Sequence, residues 1–172
     1  MIKKLITGVA LLFTLQTNSV SATEMVKLPD DCEKLQMSMI KCPIQDDVSM
    51  DDAIESMKSK AIDLNFKLVA HMPLSKDIEA KGGKSPRMEI YQFCDSLIAA
   101  KMVDQNIAFA GFLPCRISLI EDKEKKGKGY LITLDMDATL GAANLPDSMK
   151  TMAIQVRNNI YGIIAAGAAG DI

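Results

Sequence analysis

The chain has 172 residues, with 20 Lys and Arg against 22 Asp and Glu, for a formal net charge of -2. Its lysines are scattered, and the densest cluster, "EDKEKKGKG", is interleaved with acids. No phosphate-tracking basic stripe is present, which argues against nucleic-acid binding, and the length suits one domain with a sizeable core.

Residues 1–22, "MIKKLITGVALLFTLQTNSVSA", place Lys3 and Lys4 before an apolar run from Leu5 to Leu15 and finish in small residues. That is the layout of a cleavable secretory signal, because the run is well short of the roughly 20 apolar residues that cross a bilayer. Cleavage is expected near Thr23. The mature chain would then be a bacterial periplasmic protein with no stable membrane insertion, in a compartment that oxidises thiols. The carboxyl-terminal "IYGIIAAGAAGDI" is too short and too interrupted by glycine to be a second span. Residues 23–34 are expected to be a lead-in segment and residues 35–172 a single domain.

The first strand is expected from Leu35 to Cys42, closed by Pro43. "DVSMDDAIESMKSKAIDLNF" predicts a helix with Ser49 as its cap, Asp52 as the capping-box acid, and a stripe of Met50, Ile54, Met57, Ala61 and Leu64. A second strand, "FKLVAHMPL", alternates Phe66, Leu68, Ala70 and Met72 against Lys67, Val69 and His71. The charged, glycine-rich "SKDIEAKGGKSP" predicts a mobile surface loop. "RMEIYQFC" is the third strand, and Asp95 caps a helix of about three turns in "DSLIAAKMVDQN". "CRISLIED" and "GYLITLD" form a hairpin of fourth and fifth strands. A long helix follows, with Met149, Met152, Val156, Ile160 and Ile163 at helical spacing. Five strands and three helices in this order predict an α+β two-layer sandwich, with a mainly antiparallel, curved sheet covered on one face by the first and last helices.

Few residues carry marked chemistry. His71, the only histidine, alternates away from Phe66 and Leu68, which predicts an outward position; it is a candidate ligand, but no partner carboxylate is marked by spacing. Methionines such as Met37, Met39 and Met72 are of the soft type that suits copper(I), yet most methionines fall on core positions and are better explained as core filling. No haem-attachment motif, phosphate-binding glycine loop or nucleophile elbow occurs, so no catalytic residue, metal site or cofactor is assigned. Cys32 and Cys42 are candidates for a structural disulfide. In one continuous helix ten positions would hold them about 15 Å apart, so bonding requires a turn between them.

"DVSMDDAIESMKSKAIDLNFKLVAHMPL", "EIYQFCDSLIAAKM", "FLPCRISLIEDKEKKGKGYLITLDMDATL" and the closing helix resemble, in order, the bacterial family called domain of unknown function 302, over nearly the whole mature chain. Cys94 matches the family's Cys-Asn-Pro turn after the third strand, and Leu113, Pro114 and Cys115 match its Leu-Pro-Cys triplet before the fourth. Asp95 and Ser96 replace the usual Asn-Pro, and Met136, Asp137 and Ala138 match only loosely the Asp-Pro after the fifth strand. The resemblance implies a fold similar to one half of the TATA-binding protein saddle and often a homodimer. It implies no established activity.

The resemblance also implies that the third and fourth strands are antiparallel neighbours, which would bring Cys94 and Cys115 together. A disulfide there, closing a loop of about twenty residues, would contribute roughly 3 kcal/mol. Alternatively Cys94, at a helix start, and Cys115, beside Arg116, form a candidate thiol site for redox exchange or a soft metal, or the thiols are simply buried. Two functions follow. The preferred one is a non-enzymatic periplasmic module that binds a small molecule or partner protein between the sheet and the terminal helix, with Gly162, Gly167 and Gly170 allowing a close approach. The other is a thiol protein built on Cys94, Cys115 and Arg116.

Overall fold

The structure, a computed structural model, describes residues 25–171; the leader read at 1–22 lies outside the described residues. Alternation along the two central strands decides the fold. Strand β4 (Met88–Cys94) buries Glu89, Tyr91 and Phe93, and β5 (Cys115–Glu121) buries Ile117 and Leu119. Because successive side chains point to opposite sides of a pleat, each strand gives one face to the core and the other to the outside. With β1 (Glu33–Leu35), β2 (Met39–Pro43), β3 (Lys67–Met72) and β6 (Gly129–Leu134), they form one sheet in the order β1-β2-β6-β5-β4-β3. Every neighbouring pair is antiparallel.

The sheet has six strands where five were expected, because the segment from Leu35 to Cys42 is a turn and a strand. Met37 and Ser38, at φ 59° and 53°, reverse the chain so that β1 pairs with β2. Non-glycine residues seldom enter that left-handed region, so the sequence carries no turn signal there. The hairpin supplies the turn that the first two cysteines need: Glu33 pairs with Lys41, and one step outward Cys32 is bonded to Cys42 with their Cα atoms 4.1 Å apart.

Helix α1 (Met50–Asp63) starts where its capping box predicts, with Ser49 Oγ accepting from the Asp52 amide at 3.1 Å. It packs against α5 (Asp147–Ala169), and the pair covers the inner face of the sheet. The core between them contains Met57, Phe66, Tyr91, Phe93, Leu131 and Ile164, all essentially inaccessible. Gly167 allows the close approach. A Cβ there would lie 2.5 Å from Met57 Cγ and 3.2 Å from the Ala53 carbonyl oxygen. Gly170 ends α5 in the left-handed conformation, φ 71°. Gly162 has no such requirement, since a Cβ would meet only Leu64 Cδ1 at 3.5 Å.

The segment expected to be a mobile loop contains α2 (Leu74–Ala80), which begins after Pro73, is supported by a Lys81–Asp77 ion pair, and stops before Gly82 at φ 81°. Helix α3 (Ser96–Gln105) is capped by Asp95, and a 3-10 helix follows at Ile107–Phe112. Helix α4 (Met136–Ala142) is additional to the expectation and is capped by Asp135, whose side chain accepts from the Ala138 amide at 3.0 Å. These pieces meet the start of α5 in a second apolar cluster of Ile98, Met102 and Ala153, flanked by Phe109 and Leu140. The α5 stripe therefore divides: Met152 serves this cluster, Ile160 and Ile163 serve the main core, and Val156 touches both. Arg157 fastens α4 to α5 through two bonds to Asp137 of 2.8 and 2.9 Å, and donates to the Val26 carbonyl of the lead-in segment. No helix among the described residues is long and apolar enough to cross a membrane.

Candidate functional site

At one rim of the sheet β4 ends beside the start of β5, since Phe93 pairs with Cys115, and β6 ends beside the start of β2, since Leu134 pairs with Met39. The helices of the second cluster arch past this rim and leave a cavity of about 800 Å³. Ile90, Ile132 and Leu134 give it a floor from the outer face of the sheet, while Ile98 and Met102 of α3 form a wall. Gln92, Arg116 and Ser118 are polar groups on the same outer face, and Gln92 stands directly opposite Arg116. A space of this size with mainly apolar walls and a few polar groups is the ordinary form of a small-molecule site.

Cys94 and Cys115 both line this cavity, yet neither is in a disulfide. The strands are antiparallel neighbours, but the register opposes Cys115 to Phe93 rather than to Cys94. That one-residue offset sends the two side chains to opposite faces of the pleat. The expected activation of the thiols is also reversed. Burial, with a smaller effect of nearby Cys94, pushes the Cys115 thiol up to about 11; burial and then the adjacent Asp95 carboxylate raise that of Cys94. At the start of α3 the amides of Leu97 and Ile98 are taken by Asp95 Oδ1, at 2.9 and 3.1 Å, which makes the carboxylate and not the thiol their partner. Arg116, next to Cys115 in sequence, points to the other face for the same reason of parity.

A second constellation was not marked in the sequence. Between Leu68 and Ala70 the β3–β4 register shifts, leaving Val69 as a bulge, so that Leu68 opposes Phe93 while His71 opposes Tyr91. The bulge overturns the alternation that put His71 on the outer face. His71 instead stacks on the Tyr91 ring, with centroids 4.4 Å apart, and its Nε2 lies 2.6 Å from Glu89 Oε2. Glu89 also accepts from the Tyr91 hydroxyl and from Arg87 Nε, each at 2.5 Å, and Arg87 Nη1 reaches Asp51 on α1 at 2.7 Å. Burial alone would raise the Glu89 carboxyl, but donation from Tyr91, Arg87 and His71 outweighs it and holds the group at about 2. The Tyr91 hydroxyl, buried and donating to that carboxylate, is raised far above its ordinary value. An anion so firmly kept is a poor proton acceptor near neutrality. The legible trace was the i, i+2, i+4 spacing of Arg87, Glu89 and Tyr91, which puts three polar groups on one strand face.

Comparison with known proteins agrees with this architecture. Residues 40–167 match the family described as Domain of unknown function DUF302, and the chain belongs to that family. Among solved structures it is similar to an uncharacterized conserved DUF302 protein from Bacillus stearothermophilus, at 19% identity and a TM-score of 0.62, covering 74% of this chain and 96% of that one. At that identity the likeness concerns the fold. No curated protein matches the chain.

Proposed function

We propose that the mature chain is an exported, non-enzymatic binding module that holds a small, largely apolar ligand in the rim cavity. The observation that carries this reading is the cavity itself, about 800 Å³ with apolar walls contributed by the sheet, α3 and the 3-10 helix. The ionisable groups on its walls favour binding over turnover: both thiols are held protonated, and Asp95 is engaged as a helix cap. Export is supported by the leader-like residues 1–22 and by the Cys32–Cys42 bond, which suits an oxidising compartment.

The test uses the uncharged, polarity-sensitive dye Nile red. One saturable equivalent should bind the folded chain. Ser118→Trp should abolish that binding in a chain that still folds, because Ser118 lines the cavity from the outer face of the sheet and a larger side chain there projects into it. Dye binding that is absent, or indifferent to this filling, removes the reading. Export is tested separately by the mass of the chain recovered from a periplasmic fraction, expected to begin at Thr23.

A further inference from the structure

The cavity wall carries one cation that has no ionic partner among the described residues. The sequence has three arginines. Arg87 is held by Glu89 and Asp51, and Arg157 by Asp137. Arg116, exposed at the cavity, makes no ion pair or side-chain hydrogen bond among the described residues; only its carbonyl is engaged, accepting from Thr133 Oγ1 at 2.8 Å. The carboxylate on the cavity wall, that of Asp95, is bound to two amides at the start of α3. Gln92 across from Arg116, and Ser118 two residues beyond it on the same face, offer neutral hydrogen-bonding groups.

We infer that the cavity is selective for a single-chain carboxylic acid in its anionic form. Its apolar chain lies against Ile90, Ile132, Ile98 and Met102, and its carboxylate pairs with the Arg116 guanidinium. This deepens the binding reading of the same cavity and rests on it. A guanidinium presents two parallel N–H groups at the spacing of a carboxylate's two oxygens, which makes Arg the matched partner for such a head. Charge count separates carboxylate from phosphate: one guanidinium balances one negative charge, whereas a phosphate dianion would keep an unbalanced charge in the same cavity as Asp95. Placing the head at the exposed edge leaves it partly hydrated, so the pairing does not require a fully desolvated ion.

Calorimetric titration of the disulfide-intact chain with decanoate, decanol, decyl phosphate and acetate tests the inference. Decanoate should bind at least tenfold more tightly than decanol, and acetate, lacking a chain, should give no measurable binding. Arg116→Gln should weaken decanoate about tenfold and leave decanol unchanged; Arg116→Lys, which keeps the charge but not the fork, should recover part of the loss. Equal binding of decanoate and decanol, or an Arg116→Gln variant that binds decanoate as the parent does, overturns the carboxylate assignment while the apolar-ligand reading stands. Tighter binding of decyl phosphate than of decanoate overturns it in favour of a phosphate head. If Nile red does not bind, the binding reading itself falls.

Discussion

Two polar groupings stand on opposite faces of β4, only one residue apart in sequence. On the inner face Glu89, Tyr91, Arg87 and His71 satisfy one another, and the carboxylate at the centre is 6% exposed with three donors. On the outer face Gln92 looks across to Arg116, which has no ionic partner among the described residues, over an apolar cavity. The inner set has more of the residue types associated with catalysis, yet its groups are committed to each other and to α1. The outer set has less chemistry and more availability. Residue type alone does not separate the two; the partners each group already has do.

If the inner grouping is structural, breaking it should be costly. Glu89→Leu leaves the buried Tyr91 hydroxyl without its acceptor and Arg87 without one of its two carboxylates. It should lower unfolding free energy by about 3 to 5 kcal/mol in urea titration, with ligand binding per folded molecule preserved. The same carboxylate sets an acid limit. Its folded value, about 2, lies below the ordinary 4.5, so its contribution is complete above pH 4.5 and is lost as pH falls from there through about 2. The loss amounts to about 3 kcal/mol. It should vanish from the pH profile of Glu89→Leu, and an unchanged profile would show that the group is not held as the geometry indicates.

Next in size, replacing Cys32 and Cys42 by serine should cost about 3 kcal/mol by the loop-entropy argument, with no effect on the free thiols of Cys94 and Cys115. Gly167→Val should cost about 1 to 3 kcal/mol, because Met57 and the Ala53 carbonyl leave no room for the added carbons. On the outer face the effects on stability should be small. Arg116→Gln is expected to shift unfolding by less than about 0.5 kcal/mol, so that calorimetry and ligand titration separate binding from folding. Finally, alkylation at pH 8 followed by peptide mass spectrometry should find Cys94 and Cys115 both slower than free cysteine. Rapid modification of either would restore the thiol reading.

Much of the fold was legible. The capping box at Ser49 and Asp52, the cap at Asp95 and the alternation of β4 and β5 are local patterns whose physics is complete within a few residues. Where the pattern misled, a backbone irregularity was the cause. The β1–β2 turn uses Met37 and Ser38 at positive φ, and the β3 bulge at Val69 inverts the parity of everything after it, so His71 moved to the inner face. Neither feature has a glycine or proline to announce it. The cavity was anticipated only as a space between the sheet and the last helix; its location at the rim depends on α4 and the 3-10 helix, which the sequence did not signal clearly.

The sequence by itself determined the strands, the capped helices and hence the α+β class, because periodicity and caps act over neighbouring residues; the antiparallel pairing of the two central strands came only through the family resemblance. Tertiary structure alone decided which residues became partners. Strand register separated Cys94 from Cys115, a single bulge joined His71 to Glu89, and the pairing of Arg116 with Gln92 put its side chain on the outer face at the cavity. Each of those outcomes depends on an offset of one residue between strands, and side-chain direction reverses with every such offset.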